Sequence, residues 1–179
     1  GVSINPQRRD AVDEVHRCAD AGAALVKVLP NAQQFNPAEI KYKAFYRALA
    51  LGTVNPGTGD LFLVANGAIT QSGAITVGGK TSITAGAAND ITLTNAGNVL
   101  VGDVRVVSGN NVSLNDSGAF RFGNGGTSAI SGNLVLTAGG TVTQNQSLTV
   151  VGTTSINAGS STISLADAGN DFTGAVSAT

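Results

Sequence analysis

The sequence predicts a mostly β protein: a parallel β-helix, or solenoid, over residues 52–179, preceded by a small α/β or α-helical segment over residues 1–51. Composition is the first observation behind this. The chain is 42% hydrophobic yet only 12% charged and 4% aromatic, with 24 glycines, no Trp and no Met. Such a chain folds, because disorder pairs low hydrophobicity with high charge. The second observation is an abrupt change in grammar. Residues 1–51 hold seven basic and five acidic side chains, whereas the much longer remainder holds three and six. The third is an internal repeat in the second part.

The first part reads as helix, strand, helix. Asn5-Pro6 opens a turn, and residues 10–21 place Ala11, Val12, Val15, Cys18 and Ala19 at the three-and-four spacing of an amphipathic helix. Gly22 is the expected stop, since Gly takes the left-handed conformation that closes a helix. Residues 24–29, ALVKVL, are apolar except for Lys27 and end at Pro30, as a buried strand would. After a loop, Pro37 starts a second helix over residues 38–51 through Ile40, Ala44, Phe45 and Leu49.

From Gly57 onward the helical period disappears. Apolar pairs at period two take over: Leu61/Leu63, Ile75/Val77, Ile91/Leu93, Val112/Leu114, Phe120/Phe122, Leu134/Leu136, Leu148/Val150 and Ile163/Leu165. Most are bounded by Gly, Asn, Asp or Ser, the marks of short strands and turns. GDLFLVANGAITQSGAITVGGKTSITAG, residues 59–86, aligns without gaps on GNLVLTAGGTVTQNQSLTVVGTTSINAG, residues 132–159, with about half the positions identical. One residue is then lost, and DITLTNAGN, residues 90–98, continues onto TISLADAGN, residues 162–170. Each copy holds several strands and so spans several coils of a solenoid. Short, evenly spaced strands also suit a β-sandwich, but the shortage of aromatics for a thick two-sheet core favours stacked coils.

Composition excludes some functions. A net charge of -1 and a pI near 5.7 supply no basic field for a phosphate backbone, so no nucleic-acid partner is expected. No apolar run approaches the roughly 20 residues of a membrane-spanning helix. The single cysteine, Cys18, leaves the redox compartment open. GVSINPQRRD, the opening residues, lacks the charged-then-apolar pattern of a signal peptide, so the chain reads as an internal fragment.

Candidate sites are few. His16 has no second His to share a metal with, and Cys18 lies in the apolar stripe, where buried thiols are inert. Lys27 interrupts a buried-looking strand, where a desolvated Lys can do chemistry, but here it is expected to snorkel to solvent. Lys80, Arg105 and Arg121 are scattered among Asp60, Asp90, Asp103, Asp116, Asp167 and Asp171, with no cluster of the kind a polyuronate lyase needs. GNGGTSA lacks the Asp of a calcium-binding nonapeptide. Thr92 and Thr94 suggest an ice-binding Thr ladder, but Thr-x-Thr recurs irregularly. The expectation is therefore no enzyme, with no catalytic, cofactor-binding or metal residues and no cofactor.

GAITQSGAITVGG, TSITAGAANDITLTNAGN and ADAGNDFTGAVS resemble the repeats of large filamentous haemagglutinin-like exoproteins, adhesins exported by two-partner secretion in Gram-negative bacteria. The resemblance covers residues 52–179. It implies a right-handed parallel β-helix within a fibrous shaft, secreted or held at the cell surface. Its partners would be host-cell glycans or receptors, or other copies meeting at coil ends. The secretion domain of that family has no counterpart here. SINPQRRDAVDEVHRCADAGAALVKVLPNAQQFNP, residues 3–37, with FYRALA, residues 45–50, is similar to about one repeat of an amidohydrolase-type TIM barrel. That family's metal ligands have no counterparts, so the implied reading is a remnant without activity. ALALGTVNPGTG, residues 48–59, then reads as a seam between two unrelated pieces. The alternatives to a structural shaft are this amidohydrolase remnant and a carbohydrate-active β-helix.

Overall fold

The structure is a computed structural model that describes residues 2–3, 13, 17, 26–27 and 50–179. In the first part, β1 (Val2–Ser3) pairs in parallel with β2 (Val26–Lys27). Asp13 and Arg17, between them, are helical and exposed. A parallel pair needs a crossover connection, and Asp13 and Arg17 fall between its two strands, within the expected helix. Lys27 lies in that strand, opposite Ser3. His16, Cys18 and residues 38–49 of the expected second helix lie outside the described residues. The last two positions of that helix are corrected: Ala50 and Leu51 form a strand, held in register against Thr70 and Gln71.

From there the chain winds through coils of three short strands. The first holds β3 (Ala50–Leu51), β4 (Val54–Gly57) and β5 (Leu61–Val64). The second holds β6 (Ile69–Gln71), β7 (Ile75–Val77) and β8 (Thr81–Thr84), and the third β9 (Ile91–Leu93), β10 (Val99–Leu100) and β11 (Val104–Ser108). β12 (Val112–Asp116), β13 (Phe120–Phe122) and β14 (Ser128–Ile130) make the fourth; β15 (Leu134–Ala138), β16 (Val142–Gln144) and β17 (Leu148–Val150) the fifth. β18 (Thr154–Asn157) and β19 (Asp171–Phe172) belong to the sixth, and β20 (Val176–Ala178) begins another.

From β3 onward every described pairing is parallel and joins one coil to the next, which makes this a β-solenoid of about six turns. Ala50, Thr70, Thr92, Ser113, Val135, Ser155 and Ser177 stand in one column of a seven-stranded sheet, so a coil takes 20 to 22 residues. The other strands form a five-stranded sheet in the order β16-β13-β11-β8-β5 and two three-stranded sheets, β10-β7-β4 and β14-β17-β19.

Period-two alternation fills the interior. Ile69, Ile91, Val112 and Leu134 form one buried column, and Leu93, Leu114, Leu136 and Ile156 another. Fully burying one such side chain stabilises by roughly 1.5–3 kcal/mol, so stacking supplies the cohesion that a lone coil lacks. Phe120 and Phe122, both buried, meet edge to face with ring centroids 4.8 Å apart. Seven of the eight expected apolar pairs fall in strands. The eighth is corrected: Ile163 makes a single bridge to Val142, and Leu165 lies in no strand. No described strand covers the far edge of that segment.

One irregularity reorganises the stack. Val104 pairs with Thr81 on one side and Phe122 on the other, but the rest of β11 turns to β14, with Gly109 bridging to Ile130. Residues 123–127 then leave the coil as a loop in which Asn124 and Gly125 both take φ 76°. Asn tolerates this left-handed conformation and Gly adopts it freely. The five-stranded sheet thus passes from the third strand of each coil (β5, β8, β11) to the second (β13, β16). Among the described residues, no helix is long and apolar enough to cross a membrane.

Candidate functional site

The sequence's two copies of TQ and AGN place an amide pair in each repeat. Gln71 ends β6, and Asn98 closes the turn before β10. Gln71 Nε2 donates to Asn98 Oδ1 at 2.8 Å, and Asn98 Nδ2 donates to Gln71 Oε1 at 2.9 Å. Asn98 is buried; its amide also donates to the carbonyls of Leu93 and Asn115, while its Oδ1 accepts from Ile75 N. Gln144 and Asn170 repeat the arrangement at 2.8 and 2.9 Å, with Leu148 N and the Leu165 carbonyl in the equivalent roles. Each Asn side chain thereby satisfies backbone groups that a turn would otherwise leave unpaired inside the stack. Neither pair was singled out from sequence, although a Gln and an Asn recurring together in both copies was the available signal.

Four of the charged residues that look scattered in sequence come to one corner of the stack, and two of them, Arg121 and Asp103, pair. Leu61 N donates to the Lys80 carbonyl and Thr81 N to the Asp103 carbonyl, which stacks Asp60, Lys80 and Asp103 at one corner of successive coils. Arg121, beside the Val104 partner Phe122, joins them by pairing with Asp103. Asp60 Oδ1 accepts from Lys80 N at 2.7 Å. Arg105, two residues beyond Asp103, donates to the Thr127 carbonyl at 3.1 Å. Asp90, Asp167 and Asp171 stay apart from this corner.

Chemically this corner is already occupied. Asp103 accepts from Arg121 Nε on one oxygen and from Asn145 Nδ2, at 2.9 Å, on the other. Burial pushes its carboxyl up, but hydrogen bonds from Asn145 and Arg121, the Arg121 charge and the Asn124 amide together hold it below its ordinary value. A carboxylate stabilised in that way is a poor proton acceptor near neutral pH, so it is ill suited to deprotonate a sugar. Asp90 is likewise lowered, first by the Asn111 backbone N–H, while it binds the Asn110 and Asn111 amides.

Asp116 differs. It is buried at the end of β12, where Oδ1 accepts from Leu100 N at 3.1 Å and Oδ2 finds no partner among the described residues. Burial pushes its carboxyl above the ordinary value, against the bonds from Leu100, Gly118 and Ser117. It sits at the irregular junction of the third and fourth coils, where a side-chain oxygen takes over the acceptor role of a strand carbonyl. No three His, Cys, Asp or Glu side chains among the described residues are grouped to hold a metal. Thr92 shares its outward column with Thr70, Ser113, Val135, Ser155 and Ser177, so the column is not a Thr ladder.

Repeats of unknown function, the family DUF5649, match residues 44–107 and again 109–179. No curated protein and no solved structure matches the chain. The match names repeats and no activity; it identifies neither a filamentous haemagglutinin nor an amidohydrolase. ALALGTVNPGTG, expected to be a seam, lies inside the first match and carries β3 and β4.

Proposed function

The chain belongs to the DUF5649 family of repeats of unknown function, and on that premise we propose that it is a non-catalytic shaft segment whose stacked coils give a surface adhesin length and stiffness. The observation that carries the reading is the use of its polar side chains. Gln71, Asn98, Gln144, Asn170, Asp60 and Asp103 each make at least one hydrogen bond that ties one coil to another. A catalytic surface would leave such groups free for substrate. The adhesin part, with secretion or display on a Gram-negative surface, rests on the resemblance of its GAITQSGAITVGG and ADAGNDFTGAVS runs. Partners on this reading are host-cell glycans or receptors, or another copy at a coil end, where unpaired strand edges invite addition.

The test is a pair of assays on the purified chain. Incubation with polyuronates and neutral polysaccharides is expected to release no product, and beads coated with the chain are expected to stay on host cells under flow. Product formation abolished by Asp103→Asn would overturn the non-catalytic reading. Retention no better than that of albumin-coated beads would remove the adhesive part.

A further inference from the structure

The stack is interrupted at one level. One three-stranded sheet ends at β10 and the other begins at β14, so a full set of strand pairings does not cross between the third and fourth coils, where the two repeats meet. Two strand N–H groups of the third coil are instead taken by buried side chains of the fourth. Ser128 Oγ accepts from Val106 N at 3.1 Å, and Asp116 Oδ1 accepts from Leu100 N at 3.1 Å. Of these two acceptors only Asp116 can change its charge.

Asp116 occupies an inward position of β12, in one buried column with Ala138. The corner around it is fastened to the coil below: Asn98 Nδ2 donates to the Asn115 carbonyl at 3.1 Å, and Ser117 donates to the Asn98 carbonyl through N at 2.9 Å and through Oγ at 2.8 Å. Asp116 Oδ1 holds Leu100 N as Asn98 Oδ1 holds Ile75 N. Where Asn98 has an amide that donates to carbonyls, however, Asp116 has Oδ2, buried and without a partner among the described residues. Only a protonated Oδ2 can donate as that amide does. The surroundings supply no counter-charge: residues 93–100 of the coil below, 117–120 of the same turn and 134–142 of the coil above include no ionisable side chain. Of the charged residues flanking these segments, Asp103 and Arg121 pair with each other, and Asp90 is bound by the Asn110 and Asn111 amides.

We propose that Asp116 is a proton-operated latch between the two repeats: protonated, it holds the corner at residues 115–118 onto β10, and on losing its proton it lets that corner lift, so that the stack loosens at this level while the other coils stay closed. An unpaired carboxylate in an apolar column is costly to bury, and lifting the corner gives it water. Burial acts on the carboxyl in the same sense, raising it above its ordinary value. Lifting also bares the edge of β10, whose one strand partner among the described residues is β7. The latch belongs to the junction of the repeats and holds whether or not the chain serves as an adhesive shaft.

Amide hydrogen exchange of the whole chain, followed by NMR from pH 4 to pH 8, tests this with Val106 as the internal reference. Base catalysis speeds both amides alike, so the ratio of Leu100 to Val106 exchange reports opening at Asp116 alone. That ratio is expected to rise at least about threefold with pH and then level off, and Asp116→Asn is expected to keep it flat. A flat ratio in the parent chain, or an equal rise in Asp116→Asn, overturns the proposal. Should Asp116→Asn fail to fold, the Asp116 carboxyl carbon shift in the parent chain decides. A titration midpoint at or below 3.8 overturns the latch, and a midpoint above it that coincides with the rise in the ratio supports it.

Discussion

Gln71 and Asn98, 27 residues apart, hold each other by two reciprocal amide hydrogen bonds, and Asn98 is buried against the core. One side chain thus serves four partners: Gln71, the N–H of Ile75 and the carbonyls of Leu93 and Asn115.

Asn98→Ala is expected to cost about 2–4 kcal/mol, because it leaves buried backbone groups unpaired. Asn170→Ala should cost less, since Asn170 is only partly buried. Urea denaturation followed by circular dichroism measures both. Equal losses would mean that the burial of Asn98 adds nothing.

Asp116 makes stability depend on pH. Its folded-state carboxyl is raised above the ordinary 3.8. The unfolded chain therefore loses that proton first, so the contribution is full below pH 3.8 and is lost as pH rises through the higher folded value. Asp116→Asn should remove this decline, which paired denaturation midpoints from pH 3 to 8 would display. Parallel profiles for the two proteins would exclude Asp116 as its source.

Asp103 has the opposite sign. Its carboxyl is held below 3.8, so its contribution is present above that pH and is lost as pH falls through the lower folded value. Arg121 is 54% exposed, and Arg121→Ala should cost less than about 1 kcal/mol. Asp103→Ala should cost more, because it also strands the Asn145 amide. A larger loss from Arg121→Ala would reverse this ranking.

Gly102 packs directly against the Gly79 carbonyl of the coil below. A methyl group there must push two backbones apart, so Gly102→Ala should destabilise by about 1–3 kcal/mol. Gly118 has open space at the same point, and Gly118→Ala should stay within about 0.5 kcal/mol of the parent. Thermal melts of the two variants give the comparison; similar shifts would show that the stack yields at Gly102.

Much of the solenoid was legible because alternation is local. Pairs such as Ile91/Leu93 and Leu134/Leu136 announce an inward face wherever they lie. Turn residues were legible for the same reason: Asn95 and Asp167 both fold back onto a nearby Gly N–H. Coil length was not, since it is set by which strand lies above which. Lys80, Asp103 and Arg121 therefore looked scattered, being unevenly spaced along the chain, and the irregular junction at Val104 brings them to one corner. Ala50 and Leu51 were missed because helix-forming residues precede them and only pairing to Thr70 and Gln71 makes them a strand.

A gene coding for such a protein can lengthen without counting coils. The copy that begins at Gly59 is ten strands from the one that begins at Gly132, and ten is not a multiple of three. Each duplicated strand has thus been moved to a wall of the stack its ancestor did not occupy, with Leu61 and Leu63 in one sheet answering to Leu134 and Leu136 in another. The same inward apolar pair therefore serves more than one wall of the stack.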